Sequence, residues 1–247
     1  MFLITMAGAS SRFFKAGYQL PKYMLPVEDA TVFDVAIRSF RHYFATDKFI
    51  FVLRDIFNTA DFVAEHASAL GIADFEIVKL DDETTGQAET AYIGLAESAA
   101  EEPVYIFNID TFRYDYLKPS FIADCDGYLE VFRAEGEHWS FVEPKGSDDV
   151  VRTTEKDRIS DLCSDGLYYF KSVGLYRRTF LAAQQDQDTT RGEYYVAPLY
   201  NRLITAGLIV KYEIINLDQI DFCGTPDEYE SLISDQSSVI GTSGELK

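Results

Sequence analysis

The sequence predicts a three-layer α/β fold of the Rossmann-like kind, with a mixed, mainly parallel sheet. Two observations carry that expectation. Over the first 110 residues, four short apolar runs alternate with segments of helical period, the pattern of strand–helix–strand units. Such alternation places helices on the faces of a largely parallel sheet. No Pro/Gly/Ser-rich linker separates this half from the rest, so residues 1–233 read as one domain.

The elements follow in order. Phe2–Met6 is a buried strand running into the small-residue loop Ala7-Gly8-Ala9-Ser10-Ser11. Thr31–Phe44 carries Val32, Val35, Ala36, Phe40 and Tyr43 at helical spacing. Phe49–Leu53 is a second strand, and Asp61–Leu70 a helix closed by Gly71. Phe75–Leu80 is a third strand. After Thr84-Thr85-Gly86 comes a helix over Gln87–Ala100, then a fourth strand, Pro103–Ile109, ending at Asp110. The crossovers of such units are right-handed. Ligands lie outside the carboxyl ends of the strands. The Gly8–Arg12 loop, the Thr84–Gln87 loop and Asp110 should therefore meet at one edge of the sheet.

Beyond Asp110, strands are expected over Gly127–Arg133, His138–Glu143, Val150–Thr154, Gly166–Phe170 and Ile209–Ile215, and helices over Arg177–Gln185 and Glu193–Ala206. These read as antiparallel additions to the same domain. Residues 234–247 are small and polar and read as a frayed tail.

Composition narrows the function. Hydrophobic residues make up 47% of 247, enough for a large core. A formal charge of −19 argues against a nucleic-acid partner, which needs a basic footprint, and against an anionic membrane surface. The charge is uneven: no Asp or Glu precedes Glu28, so the first 27 residues carry +3 and the other 220 carry −22. Three cysteines without metal-type spacing suit a reducing compartment, and no apolar run reaches 18 residues; a cytoplasmic protein is expected. The three histidines form no ligand cluster and read as structural or surface residues.

The acid-free opening holds the first chemical motif. In Ala7-Gly8-Ala9-Ser10-Ser11-Arg12, small residues let backbone N–H groups approach an anion closely. Arg12 and Lys22 add cationic donors, and Pro21 stiffens the approach to Lys22. Phosphate groups fit this combination, although a tight turn with surface cations fits it as well.

A longer pattern surrounds it. Met6-Ala7-Gly8-Ala9-Ser10-Ser11-Arg12-Phe13, then Pro21-Lys22-Tyr23-Met24-Leu25-Pro26-Val27, resembles the signature of the sugar-phosphate nucleotidyltransferases, the enzymes that make nucleotide sugars. That signature is roughly A-G-x-G-[ST]-R followed by P-K-x-L-x-P-[VI]. Ser10 departs from it by standing where the second Gly is usual. Further segments resemble the family in order: Thr85-Gly86-Gln87-Ala88 as the base-binding loop, Phe107-Asn108-Ile109-Asp110 as the strand ending in a metal-binding Asp, Glu155-Lys156 before Gly166-Leu167-Tyr168-Tyr169-Phe170, Gly192-Glu193-Tyr194-Tyr195, and Gly224-Thr225-Pro226-Asp227-Glu228. The resemblance covers residues 2–233 and implies the fold shared with GT-A glycosyltransferases.

It also implies a reaction. A phosphorylated substrate, by default a sugar 1-phosphate, attacks the α-phosphorus of a nucleoside triphosphate, and pyrophosphate leaves. Arg12 and Lys22 are then the catalytic cations, Arg12 gripping phosphate oxygens with its planar fork. Ala7, Gly8, Ala9, Ser10 and Ser11 border the phosphates, and Thr85, Gly86 and Gln87 border the base. Lys156 holds the acceptor's phosphate, while Glu155 and Glu193 contact its body. Asp110 ligates Mg²⁺. The second ligand is expected at Asp221, with Asp218 as the other candidate; relatives place an Asp two residues before the Gly, and here Asp221 stands three before Gly224. Cys223 reads as a packing residue. Other readings remain: a cytidylyltransferase for phosphocholine, whose head group Trp139, Phe141, Tyr168, Tyr169, Tyr194 and Tyr195 could cage; a GT-A glycosyltransferase, although Asn108-Ile109-Asp110 lacks the first Asp of D-x-D; and a silent subunit that binds nucleotide sugars.

Overall fold

The structure, a computed structural model, describes the backbone of residues 1–241 and the side chains of residues 1–234. In chain order its elements are β1 (Phe2–Thr5), α1 (Ser11–Lys15), β2 (Pro26–Val27), β3 (Ala30–Thr31), α2 (Val32–Arg38), β4 (Phe49–Arg54), α3 (Thr59–Ala69), β5 (Phe75–Leu80), α4 (Gln87–Gly94), β6 (Val104–Asn108) and β7 (Thr111–Arg113). Then come β8 (Gly127–Arg133), β9 (Ser140–Lys145), β10 (Asp149–Glu155), β11 (Leu162–Phe170), α5 (Val173–Gln185), α6 (Tyr200–Thr205), β12 (Val210–Ile214), β13 (Ile220–Phe222) and α7 (Pro226–Gly241).

Nine strands form one sheet in the order β5-β4-β1-β6-β11-β8-β12-β10-β9. The first four are parallel, in register Phe2↔Phe49 and Phe2↔Tyr105 around β1. From β6 onward the pairing turns antiparallel, except that β12 runs parallel to β8. The sheet is therefore mixed, but not mainly parallel as expected: four strand pairings are parallel and five antiparallel. The reason lies in the connections. β8 to β11 are joined by short links, which suit antiparallel partners, whereas parallel pairs need a crossover.

Both faces of the first half are covered. Phe2, Ile4, Phe49, Phe51, Leu53, Tyr105 and Phe107 pack with α2, α3 and the start of α7. The intervening Leu3, Ile50, Val52, Val104 and Ile106 pack with α4, α5 and α6. The strand period of two thus splits each apolar run between two cores, and helix–sheet–helix layering follows. Phe2 alone touches the rings of Phe40, Tyr43, Phe49, Tyr105 and Tyr116. Burying one such side chain stabilises the fold by about 1.5–3 kcal/mol.

Several boundaries differ from the expected ones. The helix from Gln87 ends at Gly94 rather than Ala100, and Arg177 takes the carbonyls of Leu95 and Ala96. Glu193 does not open a helix: it bridges Thr190, and the helix begins only at Tyr200, after a 3-10 turn over Ala197–Leu199. The backbone of Tyr194 is used elsewhere, as described below. The expected tail from Ser234 instead continues α7 to Gly241, and residues 242–247 lie outside the described residues. No helix among the described residues is long and apolar enough to cross a membrane. All three cysteines are buried and free.

Candidate active site

A cleft of about 680 Å³ opens at the carboxyl ends of β1 and β6, a size that suits a small-molecule ligand. It is where the sequence places the two loops and Asp110. Ala7, Gly8, Ala9, Arg12, Lys22, Thr85, Gly86, Gln87, Asp110, Glu155 and Glu193 all border it.

β1 delivers the first wall. Its chain leaves at Thr5 and turns at Ser10, whose φ of 49° lies in the left-handed region. That is the position where the resembled signature has Gly, so the missing Gly is replaced by a Ser held in the conformation a Gly would adopt freely. Ser10 and Ser11 themselves do not border the cleft. The Ser10 hydroxyl accepts a hydrogen bond from the Lys22 backbone N–H at 3.2 Å, tying the two cationic segments together. Arg12 is exposed at the rim, and its guanidinium makes no hydrogen bond or ion pair among the described residues.

β6 delivers Asp110. Lys22 Nζ donates to Asp110 Oδ2 at 2.5 Å, with both side chains largely buried. Burial alone would raise this carboxyl. The Lys22 ammonium and, more weakly, Arg12 outweigh it and hold Asp110 below the usual carboxylate range. It stays ionised at neutral pH.

The third wall couples two distant segments. Tyr194 N–H donates to Thr85 O at 2.7 Å, and Ala88 N–H donates to Tyr194 O at 3.0 Å. Gly86 makes this possible: its φ is +121°, and a Cβ there would lie 2.5 Å from Tyr194 O. Gln87 Nε2 donates to Asn108 Oδ1, joining the start of α4 to the end of β6.

The opposite wall stands on antiparallel strands. Ser140, Glu155, Ser164, Asp165, Gly166 and Tyr168 face the cleft from β9, β10 and β11. A register shift between Ser164 and Tyr168 turns three successive residues of β11 toward it. Burial pushes the Glu155 carboxyl up, while the Ser140 hydroxyl and Lys156 pull it back. Lys156 has φ +55°, and its ammonium donates to the Tyr195 hydroxyl, 4.3 Å from that ring's centroid. It stands behind Tyr195 and does not itself border the cleft. Beneath this wall, Arg113 grips Glu130 through Nε (2.7 Å) and Nη2 (3.1 Å). Asp165 accepts from the Leu167 N–H at 2.9 Å, and its Oδ2 has no partner among the described residues. Burial raises both carboxyls, Glu130 and Asp165.

The second expected metal ligand is not brought in. On β13, Phe222 borders the cleft, so its neighbour Asp221 points the other way, where it accepts from the Tyr114 hydroxyl at 2.6 Å. Asp218 sits in a 3-10 turn outside the cleft. Glu228, which sequence reasoning did not single out, borders the cleft instead. Its signal is its place at the end of the Gly224-Thr225-Pro226-Asp227-Glu228 segment. His138 and Trp139 also border it, their ring centroids 4.3 Å apart, with His138 exposed to solvent. Of the six aromatic residues considered for a cage, Trp139, Tyr168 and Tyr195 reach the cleft, whereas Phe141, Tyr169 and Tyr194 belong to the cores. Cys223 is fully buried, and burial pushes its thiol up to about 12, as suits a packing residue.

Searches of family models and of curated proteins return no match to this chain. Solved structures do match. A nucleoside-diphosphate-sugar pyrophosphorylase from Vibrio cholerae RC9 is 46% identical, covers 95% of this chain and 100% of its own, and superposes with a TM-score of 0.91. A UDP-glucose pyrophosphorylase in complex with UDP-glucose (13% identity, 96% and 98% coverage, TM-score 0.75) shares the fold. So does the inositol-1-phosphate CTP transferase of T. maritima (13%, 94% and 94%, TM-score 0.72). With 46% identity over nearly the full length of both chains, and with the signature segments gathered around one cleft, this chain belongs to the sugar-phosphate nucleotidyltransferase family, of the nucleotide-sugar pyrophosphorylase kind.

Proposed function

We propose that this protein transfers a nucleoside monophosphate from a nucleoside triphosphate to a small phosphorylated metabolite, a sugar 1-phosphate, with release of pyrophosphate. The observation that carries this reading is the meeting of Arg12, Lys22 and Asp110 at the ends of β1 and β6, facing Glu155 and Glu193 across one cleft. The family membership supports it. The fold is read as the GT-A type. The free cysteines suit a cytoplasmic setting.

Each residue has work of a definite kind. Arg12, unpaired at the rim, grips the triphosphate. Ala7 to Ala9 offer backbone that small side chains leave open to phosphate oxygens, while Ser10 and Ser11 shape that turn from behind. Gln87, fixed by Asn108, borders the base with Thr85 and Gly86. Lys22, displaced from Asp110, neutralises charge that grows on the transferring phosphate or on pyrophosphate. Glu155 and Glu193 accept hydrogen bonds from the acceptor's hydroxyls. Lys156 holds the acceptor's phosphate once it leaves Tyr195. The acceptor phosphate and the α-phosphorus are thereby aligned for in-line attack, and positioning supplies much of the rate.

The donor set fits Mg²⁺. The Lys22 ammonium on Asp110 is a stand-in cation, and the ligands available are hard carboxylate oxygens. Bound there, the ion would neutralise triphosphate charge and orient its oxygens.

The test is pyrophosphate release over a crossed panel: four nucleoside triphosphates against sugar 1-phosphates, phosphocholine and related acceptors, with and without Mg²⁺. One triphosphate–sugar phosphate pair should release pyrophosphate only with Mg²⁺ present. Release with phosphocholine alone, or binding of nucleotide sugars without any turnover, overturns the reading.

A further inference from the structure

We propose that Glu228, and not Asp221, is the second carboxylate of the divalent-cation site beside Asp110. The inference rests on the nucleotidyltransferase reading above and deepens it.

Gly224 is the first observation. A Cβ built there would find Asp110 Oδ2 at 3.2 Å and Glu228 Oε2 at 3.4 Å as its nearest neighbours. Two carboxylates from β6 and α7, over a hundred positions apart in sequence, thus converge on a space that this residue leaves empty. Any larger residue at 224 would fill it. The second observation is that a cation already stands on one of these two carboxylates: Lys22 Nζ contacts Asp110 Oδ2. Third, Glu228 is held in place. Its Oε2 accepts from the N–H groups of Gly224 (2.8 Å) and Thr225 (2.9 Å), and the Glu228 N–H donates to Thr225 Oγ1 at 3.3 Å. Its Oε1 takes part in no hydrogen bond or ion pair among the described residues. One oxygen positions the group, and the other is left to offer.

Asp221 cannot share this task from where it stands, with its side chain on the far side of β13 and bonded to Tyr114. The position two residues before Gly224, where the family pattern puts its Asp, is Phe222. A hard cation near Asp110 needs oxygen ligands, and Glu228 brings a second carboxylate against Gly224.

The competing explanation is that Glu228 only closes a capping box with Thr225 at the start of α7. Glutamine serves in that box as well as glutamate, so Glu228→Gln removes the charge and keeps the cap. The probe is Mn²⁺ alone, titrated into the full chain and followed by the loss of the free-ion EPR signal. Glu228→Gln and Asp110→Asn should each weaken Mn²⁺ binding roughly tenfold or more. Asp221→Asn should leave it unchanged, and the melting midpoint of Glu228→Gln should match wild type. Gly224→Ala, whose methyl group enters the space between the carboxylates with no change of charge, should weaken Mn²⁺ as well. Wild-type affinity in Glu228→Gln with loss in Asp110→Asn overturns the proposal and spares the cation at Asp110. Weakening in Asp221→Asn overturns it in favour of Asp221. Full Mn²⁺ affinity in Gly224→Ala counts against it too. If wild type takes no Mn²⁺, the cation itself falls along with the proposal, while pyrophosphate release still reports separately on nucleotidyl transfer.

Discussion

On one side of the cleft, side chains and backbone leave the ends of parallel strands β1 and β6 in loops; on the other, they stand along antiparallel strands β9, β10 and β11. The first side keeps its cations within a single stretch of sequence, residues 12–22, and needs only strand order to aim them. The second draws on three strands and a register shift, and a loop-to-loop contact at Gly86 ties the two sides together. A wall built from strand ends depends on a few local motifs. A wall built from strand faces depends on which way each residue points.

The sharpest way to break this comparison is to remove its hinge point. Asp110→Asn should lower the rate of pyrophosphate release by on the order of 10³, with the melting midpoint little changed. Activity within a factor of a few of wild type would take Asp110 out of the mechanism.

The two sides should then separate in steady-state kinetics. Arg12→Ala should raise the KM for the triphosphate about 10–100-fold, and Lys156→Ala the KM for the acceptor, each leaving the other substrate's KM alone. Crossed effects would mean that the walls do not divide the substrates in this way.

The coupling between the walls is tested by Gly86→Ala. A methyl group at φ +121°, 2.5 Å from Tyr194 O, should cost about 1–3 kcal/mol of stability by denaturant melt. An unchanged midpoint would show that this contact relaxes freely.

The smallest effect concerns the buried carboxyls beneath the strand-face wall. Burial raises both Glu130 and Asp165, so the folded state binds more protons than the unfolded chain above the ordinary carboxyl range. Their contribution is then favourable at low pH and is lost as pH rises from about 4 toward their raised values. Melting midpoints measured across that window should slope downward, and Asp165→Asn, which cannot ionise, should flatten the slope. An equal slope in wild type and variant would sink this assignment.

These two walls were not equally legible in the sequence. The loop after β1, the Thr85–Gln87 loop and Asp110 were readable because each is contiguous and follows a strand, and strand ends in such sheets converge. The facing of Asp221 is not legible, because a strand's period of two flips every side chain with a one-residue change, and the short β13 gives no pattern from which to read it. Lys156 follows Glu155 in one motif, but only the fold sets its ammonium against Tyr195. Asp165 carries no motif, and Glu228 ends the Gly224–Glu228 segment without a role that the sequence assigns to it.

By itself the sequence determined the alternation of strands and helices, the two apolar faces of the first four strands, the acid-free basic opening and the family signature. These are local: they depend on spacing of three to twenty residues, which the order of residues sets directly. Tertiary structure alone decided that half the sheet pairs antiparallel, that Ser10 takes the left-handed turn, that Gly86 lies against Tyr194, and that Asp110 faces Glu228 across Gly224. Each of these joins residues far apart in sequence or sets a backbone angle against its neighbours, and only packing of the whole domain fixes which groups meet.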